Sequence, residues 1–271
     1  VEVGSGKNLD AVLDVRDPVG EDMTVDDGAI GGTESVVVDG SVAGRHLVIV
    51  TGYGSTTGEY QLSIRPADVV DVAVGGSVSG AVEAGTRSGV FAFEAPAGPP
   101  LIVEVVPDDS LDAVLVVRGP DGVNHYLDDG GSGAAEVVVV DSSVAGGHLV
   151  IVSGYGSTTG AYQLSIQPAD VVDVPVDGSV SGAIEGGTRS GVFSFEAPAG
   201  QPLAVEVVPD DNLDAVLVVR DPDGVDQYVD DGGSGGVEDV VVDGSAAGRH
   251  LVVVTGYGST TGQYELSVRP D

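Results

Sequence analysis

Apolar and polar residues alternate with a period of two through most of this chain, the spacing of strands that bury one face. Val90-Phe91-Ala92-Phe93-Glu94 sets both phenylalanines on one side, and residues 101–106 set Leu101, Val103 and Val105 against Glu104. Residues 113–118, 123–127 and 136–140 continue the series, with a Gly119-Pro120-Asp121-Gly122 turn between the first two. Residues 77–82 are interrupted by glycine and predict an edge strand. The last two runs, between His148 and Ile166, flank the loop Gly-Tyr-Gly-Ser-Thr-Thr-Gly at 154–160 and predict a hairpin. In that loop glycine supplies positive-φ corners and the hydroxyls satisfy backbone groups. β-branched runs broken by Gly, Asp and Pro, without long Leu/Ala/Glu/Lys stretches, predict an all-β protein.

The seven-residue loop returns letter for letter at 52–58 and 256–262, and the whole chain keeps its register. Leu9, Leu111 and Leu213 open the same Leu-Asp-Ala-Val-Leu string 102 residues apart (111 − 9 and 213 − 111). A period of about 100 residues is a whole domain and not one turn of a solenoid. The expected organisation is therefore tandem jelly-roll-like β-sandwich domains of about eight strands per full repeat. Residues 67–168 and 169–270 are full repeats, and residues 1–66 are a partial repeat that begins at the equivalent of Val103 and lacks the first strands. The joints at 64–68 and 166–170 are short and contain proline, which predicts a semi-rigid rod.

All four phenylalanines, Phe91, Phe93, Phe193 and Phe195, lie in the segment missing from repeat one. Burying each is worth about 1.5–3 kcal/mol against a net domain stability of about 5–15 kcal/mol. Repeat one is therefore expected to be open, with an unpaired edge. Two completions follow: upstream strands of a longer array, of which this chain is a mature or excised piece, or strands from a neighbouring molecule.

Composition narrows the function classes. The 271 residues carry 43 Asp plus Glu against 10 Lys plus Arg, a formal charge of −33 that repels nucleic acid and anionic membranes. Cations are attracted instead, and a solvated acidic shell suited to a saline exterior accounts for the same charge. Cysteine is absent, which removes disulfides and thiolate metal sites. No run reaches the roughly 18 apolar residues of a membrane helix.

Carboxylates shared by the copies are the candidate calcium ligands: Asp10, Asp26 and Asp27; Asp112, Asp128 and Asp129; Asp214, Asp230 and Asp231. Calcium takes six to eight oxygens, and the Asp-Asp-Gly loop facing the aspartate of Leu-Asp-Ala across a sheet end supplies several. The competing reading is that Asp-Asp before Gly is an ordinary turn. His46, His148 and His250 are one strand-end position copied three times, which points to packing and not to a base. Tyr60, Tyr162 and Tyr264 alternate with core residues. Tyr53, Tyr155 and Tyr257, each between two glycines, are the candidates for an exposed ligand or assembly contact.

Leu-Asp-Ala-Val-Leu-Val-Val-Arg, then Asp-Pro-Asp-Gly at 221–224, Asp-Asp-Gly at 230–232, Gly-Arg-His-Leu-Val-Val-Val-Thr-Gly-Tyr at 248–257 and Thr-Gly-Gln-Tyr-Glu-Leu-Ser-Val at 261–268 resemble the bacterial pre-peptidase C-terminal domain. Related modules include the collagen-binding domains of clostridial collagenases. The resemblance implies a secreted or surface-attached β-sandwich, often an enzyme accessory and sometimes calcium-stabilised. Near-identical copies with no catalytic domain beside them depart from the usual single accessory module.

The expected function is therefore non-catalytic: a structural or assembly segment of an extracellular or cell-surface protein or filament, whose partners are its own neighbouring repeats. The alternative is a calcium-dependent binding module for a polysaccharide or matrix protein, accessory to a secreted hydrolase. No nucleic acid and no membrane insertion are expected.

Overall fold

The computed structural model describes residues 1–271 other than 21, 27, 39, 41, 42, 84–86, 142–144, 187 and 188. Every helix or strand among the described residues is a strand. Repeat one contributes β1 (Glu2–Ser5), β2 (Ala11–Arg16), β3 (Asp22–Val25), β4 (Thr33–Ser35), β5 (Leu47–Gly52) and β6 (Tyr60–Ser63). Repeat two contributes β7 (Val69–Asp71), β8 (Gly76–Val82), β9 (Ser88–Ala95), β10 (Leu101–Pro107) and β11 (Ala113–Arg118). It continues with β12 (Asn124–Leu127), β13 (Glu136–Val140), β14 (Gly146–Gly154) and β15 (Gly160–Pro168). Repeat three runs through β16 (Val171–Asp173), β17 (Gly178–Ile184), β18 (Ser190–Ala197), β19 (Leu203–Pro209) and β20 (Ala215–Arg220). Its last strands are β21 (Asp226–Val229), β22 (Glu238–Val242), β23 (Gly248–Gly256) and β24 (Gly262–Pro270).

Repeat two is two facing sheets, ordered β12-β11-β14-β9-β7 and β13-β10-β15-β8. Leaving out β7, these are the two four-stranded sheets of a jelly roll, with β8 and β9 as neighbouring edges of opposite sheets. Repeat three repeats the orders as β21-β20-β23-β18-β16 and β22-β19-β24-β17. Alternation works as the sequence predicts: Phe91, Phe93, Leu101, Val103 and Val105 meet Val150, Val152, Leu164 and Ile166 in one buried cluster. The outward residues between them, such as Ala92, Ile102, Glu104 and Ile151, are half-buried.

Two local expectations change. β14 and β15 do not form a hairpin; each sits in a different sheet, and residues 154–160 cross between the layers. Two amphipathic strands joined by a glycine-rich loop read the same whether they pair side by side or face each other, so alternation alone does not separate the two arrangements. The second change is β7, a three-residue strand pairing parallel with β9, too short to leave a periodic signal. Its successor Val72 enters the core, so the short joint is anchored into the second domain.

The boundary between repeats two and three is apolar. Val139, Ala169, Val192, Leu251 and Val253 bury one another there. β13 is buried on both faces, which accounts for the unbroken Val137-Val138-Val139-Val140 run in an otherwise alternating chain. Arg220 Nη1 donates to the carbonyl of Val139 at 3.2 Å, and the Tyr228 hydroxyl bonds the Asp129 carboxylate.

Repeat one has two three-stranded sheets, β4-β1-β6 and β3-β2-β5. Among the described residues β6 pairs only with β1 and β5 only with β2, whereas their equivalents β15 and β14 also pair with β8 and β9. Its small core, Val3, Leu9, Ala11, Leu13 and Val15, is buried without any aromatic contribution.

Candidate functional site

The invariant loop is a tight structural bracket. In repeat two Tyr155 N–H donates to the carbonyl of Asp112 at 2.8 Å, and Thr158 N–H donates to the carbonyl of Tyr155 at 3.1 Å. The Thr158 hydroxyl donates to the Tyr155 carbonyl at 2.8 Å and lies 3.3 Å from the carbonyl of Asp112. Repeats one and three reproduce this through Thr56 and Thr260. Gly54, Gly156 and Gly258 take φ near +58°, at 59°, 57° and 59°, where a side chain is disfavoured. Arg87 adds a bond to the carbonyl of Gly156. The loop's glycines and its central threonine are thus explained by the crossing between layers, where the threonine hydroxyl is turned inward on the bracket. Tyr53, Tyr155 and Tyr257 project from it and are exposed, as a contact residue must be.

The candidate acids divide into three environments. Asp10, Asp112 and Asp214 stand at the foot of the bracket, each with one buried carboxylate oxygen that has no hydrogen-bond partner among the described residues. Burial raises the pKa of Asp112. Asp128 lies 3.5 Å from the Tyr126 hydroxyl, and Asp129 is held by Tyr228 of the next repeat while burial raises its pKa. Asp230 is raised by burial first and then by the charges of Asp214, Glu238, Asp129 and Asp231. Asp26 and Asp231 are exposed, and Asp27 lies outside the described residues. In repeat three the charge of the Leu-Asp-Ala aspartate, Asp214, reaches Asp230 of the Asp-Asp-Gly loop. Among the described residues, however, no three His, Asp or Glu side chains gather closely enough to hold a metal ion.

The most buried acids among the described residues are ones the sequence pattern does not single out. Glu34, Glu136 and Glu238 occupy one repeat position and are essentially inaccessible. Glu238 Oε2 accepts from Asp231 N–H at 2.9 Å and Oε1 from Gly232 N–H at 2.7 Å. Glu136 does the same for Asp129 and Gly130 at 3.2 and 3.0 Å, and Glu34 accepts from Gly28 at 2.9 Å. Each glutamate is an internal cap of the Asp-Asp-Gly loop, Glu136 and Glu238 accepting from two loop donors and Glu34 from Gly28. Burial outweighs those bonds at Glu136 and pushes its pKa up to about 8. The signal was present in the sequence, since the glutamate recurs with the period at the head of each valine run, directly before it in repeat two and one residue further away in repeats one and three.

Histidine plays a packing part. His148 stacks on Phe93 with ring centroids 4.7 Å apart, and its Nδ1 lies 3.1 Å from the Gly146 carbonyl. Burial lowers its pKa. His250 repeats this on Phe195 at 4.9 Å.

Residues 95–197 match a family of unknown function (DUF7524), a window one repeat long that runs from β9 to the equivalent β18. No curated protein matches the chain. Among solved structures, the chain is similar to the pre-peptidase C-terminal domain of a collagenase from Bacillus anthracis. That match has 18% identity and a TM-score of 0.34, and covers 37% of this chain and 96% of that one. It is also similar to PliG of Aeromonas hydrophila, a periplasmic inhibitor of g-type lysozyme, at 17% identity and TM-score 0.26, covering 36% of this chain and 96% of that one. PliG of Salmonella Typhimurium matches at 19% identity and TM-score 0.26, covering 37% and 99% respectively.

Proposed function

We propose that this chain is a non-catalytic structural segment of an extracellular or cell-surface assembly, in which repeated β-sandwiches follow one another as an acidic rod. The observation carrying this reading is the joint between repeats two and three. There Val139, Ala169, Val192, Leu251 and Val253 form a dry contact, fixed in orientation by the Arg220 bond to Val139. Three copies at an unchanged 102-residue spacing (213 − 111) supply length and multivalency, which an array uses and a single reaction centre does not. The groups that would otherwise serve chemistry are occupied structurally: His148 and His250 in ring stacks, Thr158 and Thr260 on backbone carbonyls. A formal charge of −33 keeps such rods apart and soluble outside a cell.

Small-angle scattering tests the rod. A single globule of this length has a radius of gyration of about 19 Å, whereas three units spaced by one domain diameter give about 30 Å. A value near the first figure for the monomer removes the proposal.

A second reading, a calcium-organised binding module, is favoured by one observation: the same aspartate oxygen is buried and has no partner among the described residues in all three repeats, at Asp10, Asp112 and Asp214. It requires retention on a polysaccharide or matrix protein that a chelator abolishes. Equal retention with and without chelator, or none, discards it.

A further inference from the structure

Acidic domains placed end to end repel each other, so the positions of this chain's few cations are informative. Repeat two holds two basic residues, Arg87 and Arg118. Repeat three carries arginine at both equivalent positions, Arg189 and Arg220, 102 residues further on (189 − 87 and 220 − 118). No other basic position is common to the two repeats. In repeat three both arginines reach across the joint to repeat two.

Arg220, at the end of β20, is only 11% exposed, and its own repeat orients it: Nε and Nη2 donate to the two Asp226 oxygens at 2.6 and 2.8 Å. That bidentate pair fixes the guanidinium plane and leaves Nη1 to cross the joint to the Val139 carbonyl at 3.2 Å. The Asp141 carboxylate of repeat two acts on the same cation, and His125 Nδ1 lies 3.9 Å from Asp226. Arg189 precedes β18 and lines a cavity of about 20 Å³, room for one water, together with Asp129 and Glu136 of repeat two. Burial pushes the pKa of Glu104 on β10 up, and the charge of Arg189 opposes that push. The invariant loop of repeat three closes over the same place: a Cβ on Gly130 would stand 3.5 Å from the Cα of Gly258.

The facing acids are as constant as the arginines. Glu104, Asp129, Glu136 and Asp141 each recur as the same acid in both other repeats. Acids on one repeat and arginines on the next, at fixed spacing, describe a head-to-tail interface whose two sides differ. Apolar burial attracts without direction, whereas complementary charge fixes register and rejects wrong pairings. We propose that Arg189 and Arg220 are the specificity determinants of the joint, a two-point clamp by which repeat three recognises the acidic edge of repeat two. The Val139 cluster supplies attraction, and the arginines select the partner and its angle. The inference rests on the fixed joint of the rod reading and assigns the residues that set it.

The chain has no cysteine, so spin labels at Ala97→Cys and Ala199→Cys, exposed equivalents in repeats two and three, report on this joint alone. Pulsed electron resonance on the whole chain should give one narrow distance distribution. Arg189→Gln should broaden it about twofold, and adding Glu104→Gln should broaden it no further, since both changes break one contact. Arg189→Lys, which keeps the charge, should stay near the parent width. Arg189→Gln with Arg220→Gln should broaden it most, with amide exchange at β18 and β23 showing that repeat three stays folded. If loss of the Asp226 pair unfolds that repeat, the Arg189 and Glu104 variants decide the matter. A parental width in Arg189→Gln, additive effects of Arg189→Gln and Glu104→Gln, or a lysine variant as broad as the glutamine one overturns the clamp. A broad distribution in the parent chain removes the fixed joint and both readings with it, whereas a narrow one indifferent to the arginines removes the clamp alone.

Discussion

Replacing Glu238 by alanine removes the internal cap of the Asp230-Asp231-Gly232 loop, and the structure sets the scale of the loss. Two backbone donors of the loop, on Asp231 and Gly232, lose acceptors at 2.9 and 2.7 Å. Each bond to a carboxyl of this kind contributes about 1.5–3 kcal/mol. Removing the acid also relieves the penalty of burying it, so a net destabilisation of about 2–4 kcal/mol is expected locally. Gly232 faces the same group: a Cβ there would stand 2.5 Å from Glu238 Oε1. Glu238→Ala and Gly232→Ala should therefore be strongly non-additive, since both break one contact. Because the chain has more than one folding unit, a single melting temperature is a poor readout. Amide exchange at residues 231 and 232 is specific, and a loss of this size accelerates it about 30- to 1,000-fold. Glu238→Gln, which keeps one acceptor, should fall between. If alanine leaves those two amides within about twofold of the parent, the glutamate is not the cap and the reasoning fails.

Glu136 gives a pH prediction. Its pKa in the fold is about 8, above the ordinary 4.5, so the fold prefers the neutral acid. The stabilisation is complete below about pH 4.5 and is lost as pH rises through 8, a change of about 3–5 kcal/mol in repeat two. Urea midpoints measured from pH 5 to 9 should fall accordingly, and Glu136→Gln should flatten the curve; an unchanged slope contradicts the assignment. Val139→Asp places a charge in the dry joint between repeats, forfeiting about 1.5–3 kcal/mol of apolar burial and adding an unpaired ion. Scattering should show a looser pair of domains, and an identical curve counts against a fixed joint. Gly191→Ala drives a methyl against the Tyr264 hydroxyl and to 2.7 Å from the Phe193 ring, at a cost of about 1–3 kcal/mol. Tyr264→Phe in the same chain should recover part of it, and no recovery would locate the strain elsewhere.

Much of this architecture was legible because the chain is written almost three times. The common period fixed equivalences, and alternation around Phe91, Leu101 and Tyr162 identified which face of each strand is buried. Layer assignment was less accessible: the runs on either side of 154–160 carry the alternation of a hairpin, yet they face each other across the core. Distance along the chain says nothing about which of two faces a neighbour occupies. The double burial of β13 was visible only as an excess of valine, whose cause is a second domain and not the first. At the candidate site the Asp-Asp-Gly turns are rich in carboxylates and easily read, whereas Glu136 and Glu238 open strands β13 and β22 as single buried acids. A buried acid at a repeated strand position is the stronger signal, because nothing but a structural partner makes it tolerable.

The most direct measurement is residue-resolved amide exchange along the two strands that border the open flank. The three repeats are one jelly roll, and the first lacks its β8 and β9 counterparts within this chain. Amides of Leu47–Gly52 and Tyr60–Ser63 that point to the free edge should therefore exchange faster than their equivalents in Gly146–Gly154 and Gly160–Pro168 by roughly two orders of magnitude or more. Equal protection in the isolated monomer would mean that repeat one closes on itself, and the account would be wrong.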